Sequence, residues 1–219
     1  MMASRGTTGL AKPRMAIPKG ALFDGAVALV AEAGLPCGGL AEPGRQLVID
    51  CGWLQYVIGK PTDIPAYVAY GAADLAVAGK DVLVESGLDV VELADLGFGD
   101  CRFVVAEPKD ARTAERYRHV GVIRVATKYP AIAEAHFAAR GVQAEIIRLS
   151  GNIEIAPLIG LADQIVDITA TGRTLEENDL RVVEEVMPST ARLVANPTSL
   201  RAKADVIEDV VARLVRASE

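Results

Sequence analysis

Histidine, cysteine and aromatic side chains are scarce in this chain, and their scarcity excludes several kinds of chemistry. Three cysteines, Cys37, Cys51 and Cys101, are odd in number and show no C-x-x-C spacing. They form neither a disulfide framework nor a zinc cluster, which suits a reducing cytoplasm, and they read as small buried apolar residues. Two histidines, His119 and His136, stand in no recognisable triad context, so no protein nucleophile is advertised. H-E-x-x-H, Walker A and G-x-G-x-x-G motifs are all missing; "GFGDCR" begins like the last and fails at its final glycine. No apolar run approaches the roughly 20 residues that span a bilayer. The opening "MMASRGTTGLAKPR" carries positive charge without an apolar core, so residues 1–13 read as a flexible leader rather than a secretory signal. A net charge of −6 argues against a broad nucleic-acid surface but leaves room for a small polyanion in a locally basic pocket.

What is present is the composition of a soluble globular protein, with 51% hydrophobic and 24% charged residues over 219 positions, enough for one large domain or two small ones. Short apolar strands alternate with amphipathic helices, the mark of an α/β protein. "MAI", "LVI", "DLAVA" and "RFVVA" are strands of a first block. A second block holds "VIRVAT", the helix "YPAIAEAHFAARG" ended by Gly141, "AEIIRL", the short helix "NIEIAPLIG", the strand "QIVDI" and "TLEENDLRVVEEV", which reads mostly as helix. After Pro188 comes the strand "ARLVANP", then a helix whose Leu200, Val206, Ile207, Val210, Val211 and Leu214 share one face. Stretches rich in Pro, Lys and Asp at "EPKDARTAERYRHVG" and "MPST" mark crossovers. The expectation is a discontinuous lobe I, residues 14–107 plus 188–219, and a lobe II, residues 108–187, with a cleft between two α/β lobes as the ligand site.

One junction carries chemistry. In "QIVDITATGRTLEENDL", Asp167 lies near the C-terminal end of a buried strand, where open α/β sheets bind ligands. Gly172 permits a tight turn and close backbone approach. Thr169, Thr171 and Thr174 add hydroxyls at the start of a helix, whose first amides are unpaired. The stretch is therefore a candidate phosphate cradle, with Asp167 placed for sugar hydroxyls. A strand-to-helix turn capped by threonine is the alternative, and the residues alone do not choose between them.

The segment Glu154–Leu175, E-I-A-P-L-I-G-L-A-D-Q-I-V-D-I-T-A-T-G-R-T-L, closely resembles the signature of the ATP phosphoribosyltransferase family. Glu154, Gly160, Ala162, Ile165, Asp167, Thr171, Gly172, Thr174 and Leu175 fill its fixed positions at its spacing. "PKG" at 18–20, "PTDIPAYVAYGAADL", "GKDVL", "LGFGDCR", "RVATKYPAIAEAHFAARG", "SGNIEIAPLIGLAD" and "ARLVANPTS" resemble further blocks in order, so the likeness covers essentially everything after the leader.

The resemblance implies two α/β lobes like those of type II periplasmic binding proteins. It implies transfer of the phosphoribosyl group of phosphoribosyl pyrophosphate to N1 of ATP, releasing pyrophosphate, the first step of histidine biosynthesis. Glu154, Asp167, Thr169, Ala170, Thr171, Gly172, Arg173 and Thr174 then belong to the phosphoribosyl pyrophosphate site, the loop holding the 5-phosphate. Lys19, Gly20, Gly79 and Lys80 belong to the ATP site, and Arg45 and Lys60 act with Asp167 in catalysis, near the leaving group. Mg²⁺ is implied as an ion carried by the substrates, with no metal held by protein side chains alone. The chain departs from the family at Ala21 and Lys60, where arginine is usual, and at Ala76, where glycine is usual. Lysine keeps the charge and loses the planar fork; alanine keeps nothing. The length resembles the short form, which implies a regulatory subunit similar to histidyl-tRNA synthetase, a hetero-octamer, a dimer of the short chain alone, and a cytoplasmic location without membrane or nucleic acid. Two other readings stay in view: a solute-binding module that closes on an anion without chemistry, and a degenerate enzyme that binds the donor without turning over ATP.

Overall fold

A computed structural model describes residues 12–111 and 113–219. The leader expected over residues 1–13 therefore lies outside the described residues as far as residue 11. Its last two residues are tied down: Lys12 Nζ meets the Asp50 carboxylate at 2.7 Å, and the Pro13 carbonyl accepts the Gln55 amide at 3.0 Å.

In chain order the first strands and helices are β1 (Arg14–Pro18), α1 (Phe23–Glu32), β2 (Val48–Cys51), β3 (Leu54–Gly59), α2 (Ile64–Ala69), β4 (Leu75–Gly79), α3 (Lys80–Ser86) and β5 (Val91–Asp95). There follow β6 (Cys101–Pro108), α4 (Thr113–Val120), β7 (Ile123–Thr127), α5 (Pro130–Ala139), β8 (Ala144–Arg148), α6 (Ile155–Leu158), β9 (Gln164–Thr169), α7 (Arg173–Glu177) and β10 (Leu180–Ser189). The chain closes with β11 (Ala191–Ala195), α8 (Pro197–Ala202) and α9 (Ala204–Ser218). Two compact units result. One takes the residues up to Leu83, Gly87–Gly99 and Thr190–Glu219; the other takes Val84–Ser86 and Asp100–Ser189.

The first unit has a six-stranded sheet in the order β2-β3-β1-β4-β11-β5. β3, β1 and β4 run parallel, while β2 and β11 are antiparallel to their neighbours. Successive strand residues point to opposite faces, so a continuous apolar run feeds two cores. Met15, Ile17, Leu75, Val77, Leu193 and Ala195 join α1 and α9 on one face. Ala16, Ala76, Ala78 and Val194 face α2 on the other. The methyl of Ala76, the family-atypical residue, is thus fully buried beneath α2. α9 contributes Ile207, Val210 and Leu214, the spacing that the sequence displays. Its entry is fixed by a buried polar cluster: Asp74 accepts Ser199 Oγ at 2.6 Å, Lys203 Nζ at 2.8 Å and the Arg14 amide at 2.8 Å.

The second unit has a five-stranded sheet in the order β10-β6-β9-β7-β8. β8, β7 and β9 are parallel; β6 is antiparallel to β9 and β10. Val104, Ala106 and Ile165 pack with α6 and α7, and Phe103, Val105 and Val166 pack with α5.

Four expectations are corrected here. "RFVVA" does not close lobe I: residues 100–107, with Pro188 and Ser189, belong to the second unit, because β6 takes both its partners, β9 and β10, from that sheet. "TLEENDLRVVEEV" is not mostly helix. α7 stops at Glu177, Asp179 turns the chain at φ 53°, and the valine-rich remainder becomes β10 along the sheet edge. β3 and β5, which the sequence pattern does not set apart, complete the first sheet. α4 occupies the stretch expected to be a plain crossover.

Candidate active site

β9 brings the acid and the loop together. Its first four residues are buried, and Asp167, 9% exposed, is the last of them. The chain then leaves the sheet through Ala170 and Thr171, and Gly172 caps α7 in the left-handed region at φ 78°. A side chain is strained in that conformation, although a Cβ there would meet nothing within 4 Å. The loop is self-bracing: Thr169 Oγ1 accepts the Gly172 amide at 2.8 Å, and Thr171 Oγ1 accepts the Arg173 amide at 3.4 Å. The Thr171 and Thr174 amides carry no hydrogen bond among the described residues. Arg173 is bound at 2.8 Å to Glu177 one turn on, which points its charge along α7.

Around this loop lies an open cavity of about 260 Å³ lined by Glu154, Asp167, Ile168, Thr169, Ala170, Thr171, Arg173, Thr174 and Leu175. All eight residues expected at the phosphoribosyl pyrophosphate site either line it or, as Gly172 does, shape its loop. Glu154 arrives as the residue before α6. Burial pushes the Asp167 carboxyl above the ordinary carboxylate range, and the Glu154 charge adds to this; the Ile168 amide at 2.8 Å and the Lys128 ammonium pull the other way. Such a site offers amides and hydroxyls to a phosphate and two carboxylates to vicinal hydroxyls. Lys128 is the residue that sequence reading missed, though it stands inside the quoted block "RVATKYP".

In the first unit the expected cations gather along one sheet edge. β3, β1 and β4 are adjacent and parallel, with Pro18 opposite Gly59. Lys60, Lys19 and Lys80 are the residues immediately after these three strands, so all stand at their carboxyl ends. The Lys19 amide donates to the Gly59 carbonyl at 2.8 Å, and Gly20 turns at φ 81°. Arg45 precedes β2, whose antiparallel pairing with β3 begins at that same edge; the Leu47 carbonyl accepts the Ile58 amide at 2.8 Å. The Asp81 carboxylate lies over Gly79, so a Cβ there would require that side chain to shift. Lys80 is less available than its neighbours: its Nζ sits 2.6 Å from Glu92, which Arg192 also holds at 3.3 Å. Ala21 lies exposed beside this edge.

The histidines stay away from the loop. His119 is exposed on α4, and His136 contacts Glu184 at 3.3 Å with its ring lowered in basicity by burial and by Arg140. Among the described residues no group of three or more His, Cys, Asp or Glu side chains converges to hold a metal ion, and no helix is long and apolar enough to cross a membrane.

One mixed α/β unit thus carries a threonine- and glycine-rich loop beside a buried acid, and the other carries lysines at the carboxyl ends of parallel strands. The family model described as HisG, ATP phosphoribosyltransferase, matches residues 60–216, and the chain belongs to that family. ATP phosphoribosyltransferase of Rubrobacter xylanophilus is 47% identical over 205 residues, covering 93% of this chain and 95% of that one. The Moorella thermoacetica enzyme is 51% identical over 211 residues, covering 93% and 92%. Among solved structures, the ATP phosphoribosyl transferase (HisG:HisZ) complex from Thermotoga maritima matches at a TM-score of 0.81 and 30% identity over 94% of this chain and 98% of that one. The Bordetella pertussis BvgS VFT2 domain matches at a TM-score of 0.58 and 14% identity over 94% and 86%, a likeness of fold alone.

Proposed function

We propose that the chain transfers the phosphoribosyl group of phosphoribosyl pyrophosphate to N1 of ATP and releases pyrophosphate, opening histidine biosynthesis. The observation that carries this is the loop Thr169–Thr174, braced by its own threonines and turned at Gly172, beside buried Asp167. The loop takes the 5-phosphate, and Glu154 with Asp167 accepts from the ribose hydroxyls. The donor enters with Mg²⁺ on its pyrophosphate, as part of the substrate.

The step is a direct displacement: the ribosyl C1 to pyrophosphate oxygen bond breaks as the bond to adenine N1 forms. Positive charge grows on the sugar and negative charge on the leaving group, so positioned cations supply the catalysis. Arg45 and Lys60 serve that zone. Lys19, Gly20, Gly79 and Lys80 serve ATP, with Lys80 also bound to Glu92. The Thermotoga maritima relative is a HisG:HisZ complex. By that likeness this chain works with a HisZ-like partner; the resemblance to the short form adds that the partner is similar to histidyl-tRNA synthetase, that the assembly is a cytoplasmic hetero-octamer, and that the short chain by itself pairs as a dimer.

A second reading is a protein that binds the donor but turns ATP over poorly; exposed Ala21 and the Lys80–Glu92 pair favour it. The test is ultraviolet absorbance of the product in a mixture of the chain, ATP, phosphoribosyl pyrophosphate, Mg²⁺ and pyrophosphatase, with and without the regulatory subunit. Product that forms with wild type and fails with Gly172→Trp supports the proposal. No product under either condition sinks it in favour of the second reading.

A further inference from the structure

Asp167 accepts hydrogen bonds from a sugar diol most strongly when ionised, yet two influences oppose its charge: burial and the Glu154 carboxylate. Two groups oppose them: the Ile168 amide, which donates to Asp167 at 2.8 Å, and, as the one side chain, Lys128. β7 and β9 pair in parallel with Thr127 opposite Val166, and Lys128 and Asp167 are the next residues along the two adjacent chains. The turn that carries Lys128 is clamped on both sides. Thr127 Oγ1 donates to the Val166 carbonyl at 2.6 Å and accepts the Tyr129 amide at 2.9 Å. The Tyr129 ring then packs edge-on against buried Phe103, with centroids 4.7 Å apart. Lys80, Lys109 and Lys203 are each ion-paired, whereas Lys128 has no ion pair among the described residues.

The groups that face Asp167 come from every element around it. Lys128 comes from the end of β7, Glu154 from the start of α6 and apolar Val104 from β6; Arg173 on α7 is engaged by Glu177. Lys128 is therefore the uncommitted cation of the group.

We propose that Lys128 is a positioning residue of the donor site, whose ammonium, carried by the clamped turn after β7, favours an ionised Asp167 beside Glu154 so that both carboxylates accept from the ribose hydroxyls. This rests on the donor reading given above. It makes Lys128 an aid to donor capture on the acid limb of the pH profile rather than a direct participant in bond breaking.

The experiment compares wild type, Lys128→Met and Lys128→Arg in the pH dependence of kcat/KM for phosphoribosyl pyrophosphate, with a carbon-detected NMR titration of the Asp167 carboxyl in the unliganded chain. Loss of the ammonium is expected to move the acid limb and the Asp167 midpoint upward by about half to one pH unit. Lys128→Arg returns both towards wild type, and the KM for ATP does not change. Superimposable profiles and midpoints in wild type and Lys128→Met overturn the inference. If wild type forms no product, the donor reading fails, and the NMR titration still decides whether Lys128 controls Asp167.

Discussion

Two buried carboxylates in the second unit, Glu107 and Asp167, sit near opposite ends of β9 and have opposite fates. Glu107, 6% exposed, is next to Gln164 at the start of β9. It accepts Arg181 Nη2 at 2.7 Å and Nε at 3.3 Å, and Gln164 Nε2 at 3.1 Å, with Thr113 as a further donor. Burial pushes its carboxyl up, but those hydrogen bonds outweigh burial and hold it below the ordinary range. Burial outweighs what Asp167, almost equally buried, has against it: the amide of the next residue as its hydrogen-bond donor among the described residues, and the charge of Lys128. A buried charge that is fully satisfied holds the fold together; one left short of partners is held ready for a ligand. The difference separates structure from site within a single sheet.

The sharpest way to break the comparison leaves both carboxylates in place and moves only the loop. Gly172→Val forces a β-branched residue to φ 78°, costing roughly 1–2 kcal/mol of stability and displacing the cradle. Turnover is expected to fall about 100-fold or more, because misplacement of about 1 Å has that effect. Steady-state rates beside a thermal melt separate the two losses.

Asp167→Asn comes next. Loss of a charged acceptor should lower kcat/KM for the donor roughly 10- to 100-fold, as expected for a charge-assisted hydrogen bond worth about 1.5–3 kcal/mol. Stability moves the other way. The folded pKa of Asp167 is raised, so its contribution is fully present below the unfolded value and is lost as pH rises through the folded value. The Tm advantage of the asparagine variant therefore vanishes in acid and grows with pH across that window.

Glu107→Gln should do the reverse, keeping activity while costing roughly 1–3 kcal/mol at neutral pH. The folded pKa of Glu107 is depressed, so its contribution is present above the unfolded value and is lost as pH falls through the folded one. Urea melts of wild type and variant should converge as the pH drops. The smallest effect is expected from Ala21→Arg, a few-fold gain in turnover, read from initial rates at saturating donor.

The loop was legible in the sequence because glycine and threonine cluster at a strand-to-helix junction behind a buried acid, a local pattern with local causes. The alternation of strand faces was legible for the same reason: Met15, Ala16 and Ile17 fall on alternate faces as a strand requires. What escaped depends on partners distant along the chain. β6 belongs to the second unit through its pairing with β9 and β10, which its own composition does not announce. "LRVVEEV" has apolar residues at helical spacing, yet Asp179 and the free edge of β6 turn it into a strand. Lys128 comes near Asp167 only because β7 and β9 are parallel neighbours, and Lys80 is engaged only because β5 brings Glu92 beside it.

The most direct measurement is calorimetric titration of the Mg²⁺ complex of phosphoribosyl pyrophosphate into wild type and into Gly172→Val, both confirmed folded by circular dichroism. The account predicts saturable binding to wild type that weakens at least about tenfold in the variant. Equal affinity in the two proteins would contradict it and move the donor away from the Thr169–Thr174 loop.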